Sequence, residues 1–411
     1  MLMFKDYLSS GRYSMGPNTE MELKLRLNDE SLLGKLLNDP HIQELAQPQS
    51  LQAQWLEAIY YDTPGRALTR AGIAYRIRRE GDKWIATVKA DDLSAGGLHI
   101  RNEWNVEVPL PLPDLSPFLQ TPVGPRLLQV AGEEQCEELL VTCFERKSLS
   151  LSWYDGSRIE LAADRGEVVA GERREKFAEI ELELKEGNPA VILKLGAVLA
   201  RRYPLFLEPR SKFSRGLKML GIATLEESKA KLSLDGNENV REAMLKILIE
   251  NIQYVLAAYE DFLKQPQDPE TLHQLRIKLH RLRSLLSFGS PLLDSESYEA
   301  KQEELRNLSL KLFPLREIDV VMTALQEITE NKMMLLQPTS WFMDLMVKER
   351  KGMLERLLEE MSPGFFTAVL LDFWAWLLEN PWQENNFAGM SLSDFFSCRI
   401  KGWIEELLST G

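Results

Sequence analysis

Hydrophobic and polar residues alternate strictly in several short segments of the N-terminal half of the chain. In residues 18–27, the charged side chains of Glu20, Glu22, Lys24 and Arg26 alternate with apolar ones. Because successive side chains of a strand point to opposite faces, this pattern is typical of a half-buried β-strand. The same alternation predicts further strands in the segments AGIAYRIRRE, DKWIATVKA, RNEWNVEVPL, KSLSLSWYDGSRIELAAD and FAEIELELKEG.

Turn signals and two helical stretches interrupt the predicted strands. The segments REGDKW and WYDGSR are typical of hairpin turns, in which glycine supplies a positive φ. Apolar spacing predicts helices over about residues 30–37 and 190–202. The N-terminal half is therefore predicted to be a mainly β domain.

The pattern becomes helical after about residue 225. The segment VREAMLKILIENIQYVLAAYEDFLK is a long amphipathic run, and PETLHQLRIKLHRLRSLLSF follows with Pro269 near its first turn. The segments ESYEAKQEELRNLSLKLFPLREIDVVMTALQEI and SWFMDLMVKERKGMLERLLEEM predict further helices. We therefore predict an all-α C-terminal domain.

Length and charge limit the possible functions. The chain has 411 residues, of which 44% are hydrophobic, enough for two domains with cores of their own. The net charge of −13 argues against broad, sequence-independent binding of nucleic acid, although it leaves room for a local basic pocket.

The cellular compartment is inferred from the cysteines, the histidines and the length of the apolar runs. Three cysteines give no disulfide framework and fit a reducing environment, and the four histidines are too scattered for an obvious zinc site. No run reaches the roughly 20 apolar residues of a membrane helix, and the first residues lack the pattern of a signal peptide. We expect a cytoplasmic protein without a membrane partner.

Several predicted strands carry charges of both signs on one face. Glu179, Glu181 and Glu183 form one such row, and Arg76 and Arg78 share a face of another strand. A sheet with one face in water would explain mixed charge, but three glutamates in a row repel one another without a compensating cation. In a closed barrel with these faces inward, carboxylates can hold Mg²⁺ or Mn²⁺, while Arg and Lys can hold phosphates.

The order of the charged motifs resembles the CYTH superfamily, the triphosphate tunnel metalloenzymes. EMELK resembles the ExExK signature of that family, and YYDTP from Tyr60, the Arg76/Arg78 pair and TVK follow it. The remaining matches are Glu103, Arg146 in FERK, Asp164 before Gly166, EIELE from Glu179, and SKFSRG from Ser211. The resemblance covers about residues 17–222.

The resemblance implies an antiparallel eight-stranded β tunnel barrel with flanking helices, an α+β domain that binds triphosphate compounds with a divalent metal. The positions that match phosphate ligands are Lys24, Arg76, Arg78, Lys89, Arg146 and Lys212, and Arg101 is a further candidate. Lys147 is a rival to Arg146 if the strand register differs by one residue. The positions on the metal side are Glu20, Glu22, Glu103, Asp164, Glu179 and Glu181, with Glu183 extending the row.

A stripe of cationic residues distinguishes one predicted helix of the C-terminal half. His273, Arg276, His280 and Arg283 run beside a leucine stripe, which is typical either of a solvated helix face or of a surface that follows a polyanion. With Arg281 and the segment PLREIDVV, which contains Arg316, this pattern resembles the CHAD domain, and the resemblance implies polyphosphate binding.

Two features depart from the usual CHAD domain. The match is shorter than the two-lobed form, and residues 237–411 contain 18 Lys and Arg against 27 Asp and Glu. Binding of polyphosphate is therefore expected only in a local groove.

The sequence thus predicts an N-terminal extension (1–16), a tunnel domain (17–222), a linker (223–236) and a helical domain (237–411). The expected function is metal-dependent hydrolysis of inorganic triphosphate to pyrophosphate and phosphate with Mg²⁺ or Mn²⁺, in which Lys24 binds phosphate and Tyr60 is a candidate for proton handling or substrate positioning. Thiamine triphosphatase and adenylate cyclase are alternatives on the same fold, and a non-catalytic polyphosphate-binding scaffold is an alternative of another class. The sequence leaves the general base and the oligomeric state open.

Overall fold

The computed structural model describes residues 16, 18–91, 96–223, 234–330, 339–361, 364–379 and 381–410. These residues divide into two compact units, 16–199 with 205–223 and 200–204 with 234–410. Of the predicted N-terminal extension only Gly16 belongs to the described residues, and residues 224–233 of the predicted linker lie outside them. The three boundaries between the four predicted segments stay predictions.

The first unit is built on nine strands. They are β1 (Thr19–Arg26), β2 (Gln52–Asp62), β3 (Ala74–Glu80), β4 (Lys83–Ala90), β5 (Leu98–Val108), β6 (Glu137–Ser152), β7 (Arg158–Ala170), β8 (Arg173–Glu186) and the two-residue β9 (Phe206–Leu207). Their order is β5-β4-β3-β2-β6-β7-β8-β1-β9, all neighbours are antiparallel, and β1 also pairs with β5. The pairing of β1 with β5 closes β1–β8 into a barrel, so the predicted eight-stranded antiparallel barrel is confirmed.

Helices flank the barrel strands along the chain. They are α1 (Leu32–Leu37), α2 (Pro40–Leu45), α3 (Ala67–Arg70), α4 (Gly124–Ala131), α5 (Ala190–Arg202) and α6 (Lys212–Met219), together with a 3₁₀ turn at Ser116–Phe118. The two predicted hairpins occur where expected, with Gly81 at φ 60° between β3 and β4 and Gly156 at φ 88° between β6 and β7. These positive φ values suit glycine, which has no Cβ to clash.

Alternation along β1 divides its side chains between two environments. Glu20, Glu22 and Lys24 line a cavity inside the barrel. Met21 and Leu23 on the opposite face are almost fully buried, with 1% and 0% exposure, and do not line that cavity. At β1 the barrel is therefore charged inside and apolar outside, and the interpretation of a sheet with one face in water is wrong for this strand.

The second unit is helical. Its elements are α7 (Val240–Lys264), α8 (Pro269–Phe288), α9 (Ser295–Glu330), α10 (Thr339–Glu360), α11 (Phe365–Leu378) and α12 (Leu392–Thr410), with a 3₁₀ turn at Ser290–Leu292. Asp268 accepts a hydrogen bond from the Glu270 backbone at the start of α8, and Pro269 takes the first helical position as predicted. The predicted leucine stripe of α8 is fully buried, at Leu272, Leu275, Leu279, Leu282 and Leu286.

Within the part of the chain that the structure describes, no single helix is long and apolar enough to cross a membrane. One bent pair, Trp341–Glu360 with Phe365–Leu378, reaches the required length and composition only when both helices are counted across a 51° bend. The cytoplasmic location stays a prediction.

Candidate active site

The barrel encloses a charged cavity of about 950 Å³. Its cationic lining residues are Lys24, Arg76, Arg78, Lys89, Arg101, Arg126, Arg146, Lys185, Arg210, Lys212 and Lys218. Its acidic lining residues are Glu20, Glu22, Asp91, Glu103, Glu160, Glu181 and Glu183. Eleven cations thus face the cavity together with seven carboxylates, and further carboxylates behind the lining, among them Asp164 and Glu179, contact some of these cations.

Strand register places opposite charges side by side at the β1 end of this cavity. Glu20 lies opposite Arg101 on β5, and the Arg101 Nε donates to the Glu20 carboxylate at 2.8 Å. Arg101 also pairs with Glu22. Lys89 contacts Glu20 at 2.9 Å and also pairs with Glu103. Although burial opposes ionisation, the Lys89 and Arg101 cations hold the pKa of Glu20 well below its usual range.

A second group of charges surrounds Lys212, the first residue of α6. Its ammonium lies 2.8 Å from Asp164, 2.5 Å from Glu179 and 2.9 Å from Glu181. Ser211 caps the start of α6, because its side chain accepts a hydrogen bond from the Ser214 backbone N–H. Burial disfavours the charged form, yet the three carboxylates raise the pKa of Lys212 above its ordinary value, so Lys212 stays charged.

The carboxylates around Lys212 are spaced as metal ligands would be. Among the described residues, oxygen atoms of Asp164, Glu179 and Glu181 lie within 4.8 Å of one another. The Lys212 ammonium is in contact with all three, and Arg146 pairs with Asp164 and Glu181. Asp164 and Glu179 have 0% exposure and do not line the cavity. Protein cations thus compensate this group in the free protein, and the metal-side role of Asp164 and Glu179 stays a prediction.

A third group is a row of carboxylates with fewer cations. Glu22, Glu183 and Glu160 are register partners across β1, β8 and β7. Lys185 lies 2.7 Å from Glu183 and 3.5 Å from Glu160. Burial, together with repulsion from Glu20, raises the pKa of Glu183 to about 7. This row therefore carries negative charge that the neighbouring cations do not fully compensate.

Arg76 is a cavity cation that, among the residues the structure describes, contacts a hydroxyl and no carboxylate. In the described part of the chain it forms no ion pair, and its Nη1 donates to the Tyr60 hydroxyl at 3.4 Å while its Nε is buried without a partner. Tyr60 stacks on Phe213 of α6 with ring centroids 5.1 Å apart. Burial disfavours the phenolate, but the neighbouring Arg76 cation lowers the pKa of Tyr60 below its ordinary value.

The structure also separates the two candidates on β6. Arg146 lies opposite Asp164 in the β6–β7 register and donates two hydrogen bonds to it, at 2.8 and 2.6 Å. Lys147 points to the other face, does not line the cavity and has a side chain that is 43% exposed. Arg78 lines the cavity and pairs with Glu80 at its edge.

Comparison with known families matches both units of the chain. Residues 18–217 match the CYTH domain, and residues 246–411 match the CHAD domain. The chain is a CYTH–CHAD protein. Of the predicted site residues, all the phosphate-side residues and Glu20, Glu22, Glu103, Glu181 and Glu183 line the cavity of its CYTH domain.

The CYTH–CHAD protein is 31% identical over 204 residues to the inorganic triphosphatase of Haemophilus influenzae. That match covers 48% of this chain and 54% of the relative, so the chain spans about half the length of the curated relative that it matches. Among solved structures, an adenylyl cyclase candidate from Hippeastrum with a dominant triphosphatase activity is 21% identical, with a TM-score of 0.37, and covers 51% of this chain and 99% of its own. The PH1819 protein from Pyrococcus horikoshii is 23% identical, with a TM-score of 0.32, and covers 49% and 99%.

The predicted cations of the CHAD domain lie on α8 and α9. In the described residues, His273, Arg276, His280, Arg281, Arg283 and Arg316 form no ion pair with a carboxylate. Burial, together with the neighbouring Arg316 cation, lowers the pKa of Arg276. Arg276 lies over the ring of Phe313, and the Arg283 Nε is buried without a partner. The α8–α9 surface therefore presents cations that form no direct ion pair in the described residues, although the Glu317 carboxylate acts on Arg276 and the domain as a whole is acidic.

Sequence reasoning missed several charged residues of the tunnel. Glu160 and Lys185 line the cavity, and each continues the alternation of a predicted strand. Their position along the strand could therefore have identified them as inward-facing. Arg126, Arg210 and Lys218 come from helices and loops, where no alternation marks them. In the YYDTP motif, Asp62 is buried and accepts hydrogen bonds from the Leu68 and Thr69 backbone at 3.0 Å. It caps the short helix α3 and does not line the cavity.

Proposed function

We propose that the CYTH domain hydrolyses inorganic triphosphate to pyrophosphate and phosphate with the help of a divalent metal. The observation that carries the proposal is the cavity lining, in which eleven cationic side chains face one enclosed space and Arg76 among them forms no ion pair in the described residues. A short linear polyanion fits such a lining because each of its phosphates needs several cationic or hydrogen-bonding partners. The match to an inorganic triphosphatase supports this choice of substrate.

Phosphate binding is assigned to the cavity cations predicted from the sequence. Arg76 has no carboxylate to release before it binds an anion, and the neighbouring Arg78 adds a second fork on the same face of β3. Lys24, Lys89, Arg101, Arg146 and Lys212 are each paired with carboxylates, so a phosphate oxygen would share them with those partners. Tyr60, held between Arg76 and Phe213, is assigned to substrate positioning.

Metal binding is assigned to four carboxylates that line the cavity. Glu20, Glu22, Glu160 and Glu183 offer hard oxygen donors toward it, and because burial and repulsion from Glu20 raise the pKa of Glu183, a bound cation would favour its charged form. These donors fit Mg²⁺ or Mn²⁺. Such an ion, when bound, supplies charge neutralisation for phosphate oxygens and makes a water molecule more acidic. Asp164 and Glu179 are assigned instead to the ion pairs that hold Lys212.

The test is phosphate release from inorganic triphosphate, ATP, thiamine triphosphate and long-chain polyphosphate. We expect turnover of inorganic triphosphate with Mg²⁺ or Mn²⁺ and its loss in EDTA, because the carboxylate row then lacks its cation. Excess Ca²⁺ should inhibit, since it prefers looser and higher coordination. Undiminished turnover in EDTA would remove the metal from the proposal. Faster turnover of ATP or thiamine triphosphate would contradict inorganic triphosphate as the substrate. If none of the four compounds is hydrolysed, the result would favour a non-catalytic binding scaffold.

We further propose that the α8–α9 surface of the CHAD domain binds polyphosphate. The supporting observation is the set of cations without ion pairs, since a polyanion can contact them without first displacing a carboxylate. The proposed domain boundaries, 17–222 and 237–411, place this surface outside the tunnel. Binding should weaken as salt concentration rises, because it depends on charge.

Replacing Arg276 and Arg316 together by alanine should weaken binding of long-chain polyphosphate about 10-fold, because two phosphate contacts are lost. A direct binding titration in EDTA measures this. Arg306→Ala on the same helix as Arg316 is the matched control, since Arg306 is exposed and already paired with Glu303 at 3.3 Å. Equal affinities of the double variant and the control would contradict the proposal. Triphosphate hydrolysis should be unchanged in both proteins.

A further inference from the structure

Arg215 is a buried cation that lies behind the cavity. It is 4% exposed, belongs to α6 and does not line the cavity. It lies three positions after Lys212, so both side chains leave the same side of the helix. Arg215 therefore cannot touch a substrate in the tunnel, but it lies beside a residue that can.

The guanidinium of Arg215 connects three carboxylates. It contacts Glu208 at 2.7 Å, Glu179 at 3.1 Å and Glu175 at 3.1 Å. Glu208 and Glu179 are 1% and 0% exposed, and Arg215 compensates their charges together with Arg210 and Lys212, respectively. The Glu208 backbone N–H donates to the Lys24 carbonyl at 3.0 Å, which docks this segment on β1. Arg215 thus ties α6 to β8 and, through the Glu208 segment, to β1.

Glu179 is shared between Arg215 and Lys212. One carboxylate oxygen of Glu179 lies 2.5 Å from the Lys212 ammonium, and the other lies 3.1 Å from Arg215. Because Arg215 takes up part of the negative charge of Glu179, it limits how strongly that carboxylate holds Lys212. Without the guanidinium fork, Glu179 would draw Lys212 away from the cavity, and α6 would lose its attachment to Glu208.

We propose that Arg215 is a positioning residue that keeps the Lys212 ammonium at the cavity surface through Glu179. The inference rests on the proposed function, because Lys212 is assigned there to phosphate. It explains why a cation that no substrate can reach is buried among three carboxylates. A lysine could not replace it, since an ammonium has no planar fork with which to bridge Glu179 and Glu208.

A double-mutant cycle in the full chain tests this role. Arg215→Lys should lower kcat/KM for inorganic triphosphate about 10-fold in the otherwise unchanged protein, because Lys212 is displaced. In the Lys212→Met background the same substitution should change kcat/KM less than about 2-fold, since the residue that Arg215 positions is gone. Arg174→Lys is the matched control, because Arg174 is exposed and pairs only with Glu167 on the surface at 2.6 Å.

Two results would overturn the proposal. One is an equal loss of kcat/KM in both backgrounds, and the other is a lowered melting temperature with unchanged kinetics, which a merely structural role would give. If Arg215→Lys does not fold, Glu208→Gln is used in its place. This variant removes one carboxylate partner of Arg215 and keeps the guanidinium. The same four proteins are also compared by the increase in melting temperature that inorganic tripolyphosphate causes in the presence of EDTA. If the wild type releases no phosphate, the proposed hydrolysis is contradicted. The thermal shift would still test whether Arg215 positions Lys212 for binding of the anion.

Discussion

Arg76→Ala should lower kcat/KM for inorganic triphosphate by about 10- to 150-fold. The side chain supplies a charge-assisted and bidentate contact to phosphate, which contributes about 1.5–3 kcal/mol, and each 1.36 kcal/mol corresponds to a factor of ten. Arg76 has no carboxylate partner among the described residues, so an incoming phosphate gains the full contact. Steady-state kinetics with saturating metal measure the effect.

Arg79→Ala is the matched control for this prediction. Arg79 lies on the same strand but is exposed, and its Nε donates to the Gly81 carbonyl at 3.2 Å. Its loss should change stability by less than about 0.5 kcal/mol and leave turnover intact. Similar kinetics of the two alanine variants would mean that β3 does not present Arg76 to the substrate. Because Arg76 forms no ion pair in the free protein, its variant should melt no lower than the wild type.

Glu181→Gln should lower the free energy of unfolding by about 3 kcal/mol. Glu181 contacts Lys24 at 3.0 Å and Lys212 at 2.9 Å and also pairs with Arg146. Removing its charge leaves three buried cations with one negative charge fewer. For a domain of this size the melting temperature should fall by about 6–12 °C. From the sequence alone the opposite result is expected, since loss of one glutamate from a row of three would relieve repulsion.

The pH dependence of this difference is a further check. Burial favours the neutral acid, but Lys212, Lys24 and Arg146 hold the pKa of Glu181 well below its usual range. A carboxylate with a lowered folded pKa stabilises above its unfolded pKa of about 4.3 and loses that contribution as the pH falls further. The gap in melting temperature between wild type and Glu181→Gln should therefore be full at pH 7 and shrink below about pH 4.

Glu186→Gln controls for the loss of a charge from the same strand. Glu186 is 65% exposed and pairs with Arg158 on the surface. Such a pair contributes about 0–1 kcal/mol, so this variant should melt close to the wild type at all pH values. A Glu181→Gln protein that melts above the wild type at pH 7 would restore the repulsion interpretation. Added Mg²⁺ should stabilise the wild type by mass action.

The sequence by itself determined which side of β1 is charged, although on β6 it left Arg146 and Lys147 as rivals. Alternation is a local property of the backbone, so the inward position of Glu20, Glu22 and Lys24 follows from their spacing. The resemblance to the CYTH domain added the closed barrel, which no single strand encodes. Burial of the leucine stripe of α8 was likewise predicted from the sequence, because apolar residues spaced three and four apart lie on one face of a helix.

Only the tertiary structure decided which carboxylate of the barrel pairs with which cation. Glu179, Glu181 and Glu183 look alike in the sequence, but the docking of α6 pairs the first two with Lys212, while Glu183 remains in a row with Glu22 and Glu160. Strand alternation fixes the face of a residue and contains no information on its neighbours across the barrel. Those neighbours are set by register between strands and by helices far away in the chain, and they decide whether a carboxylate is neutralised by the protein or is left to bind a cation.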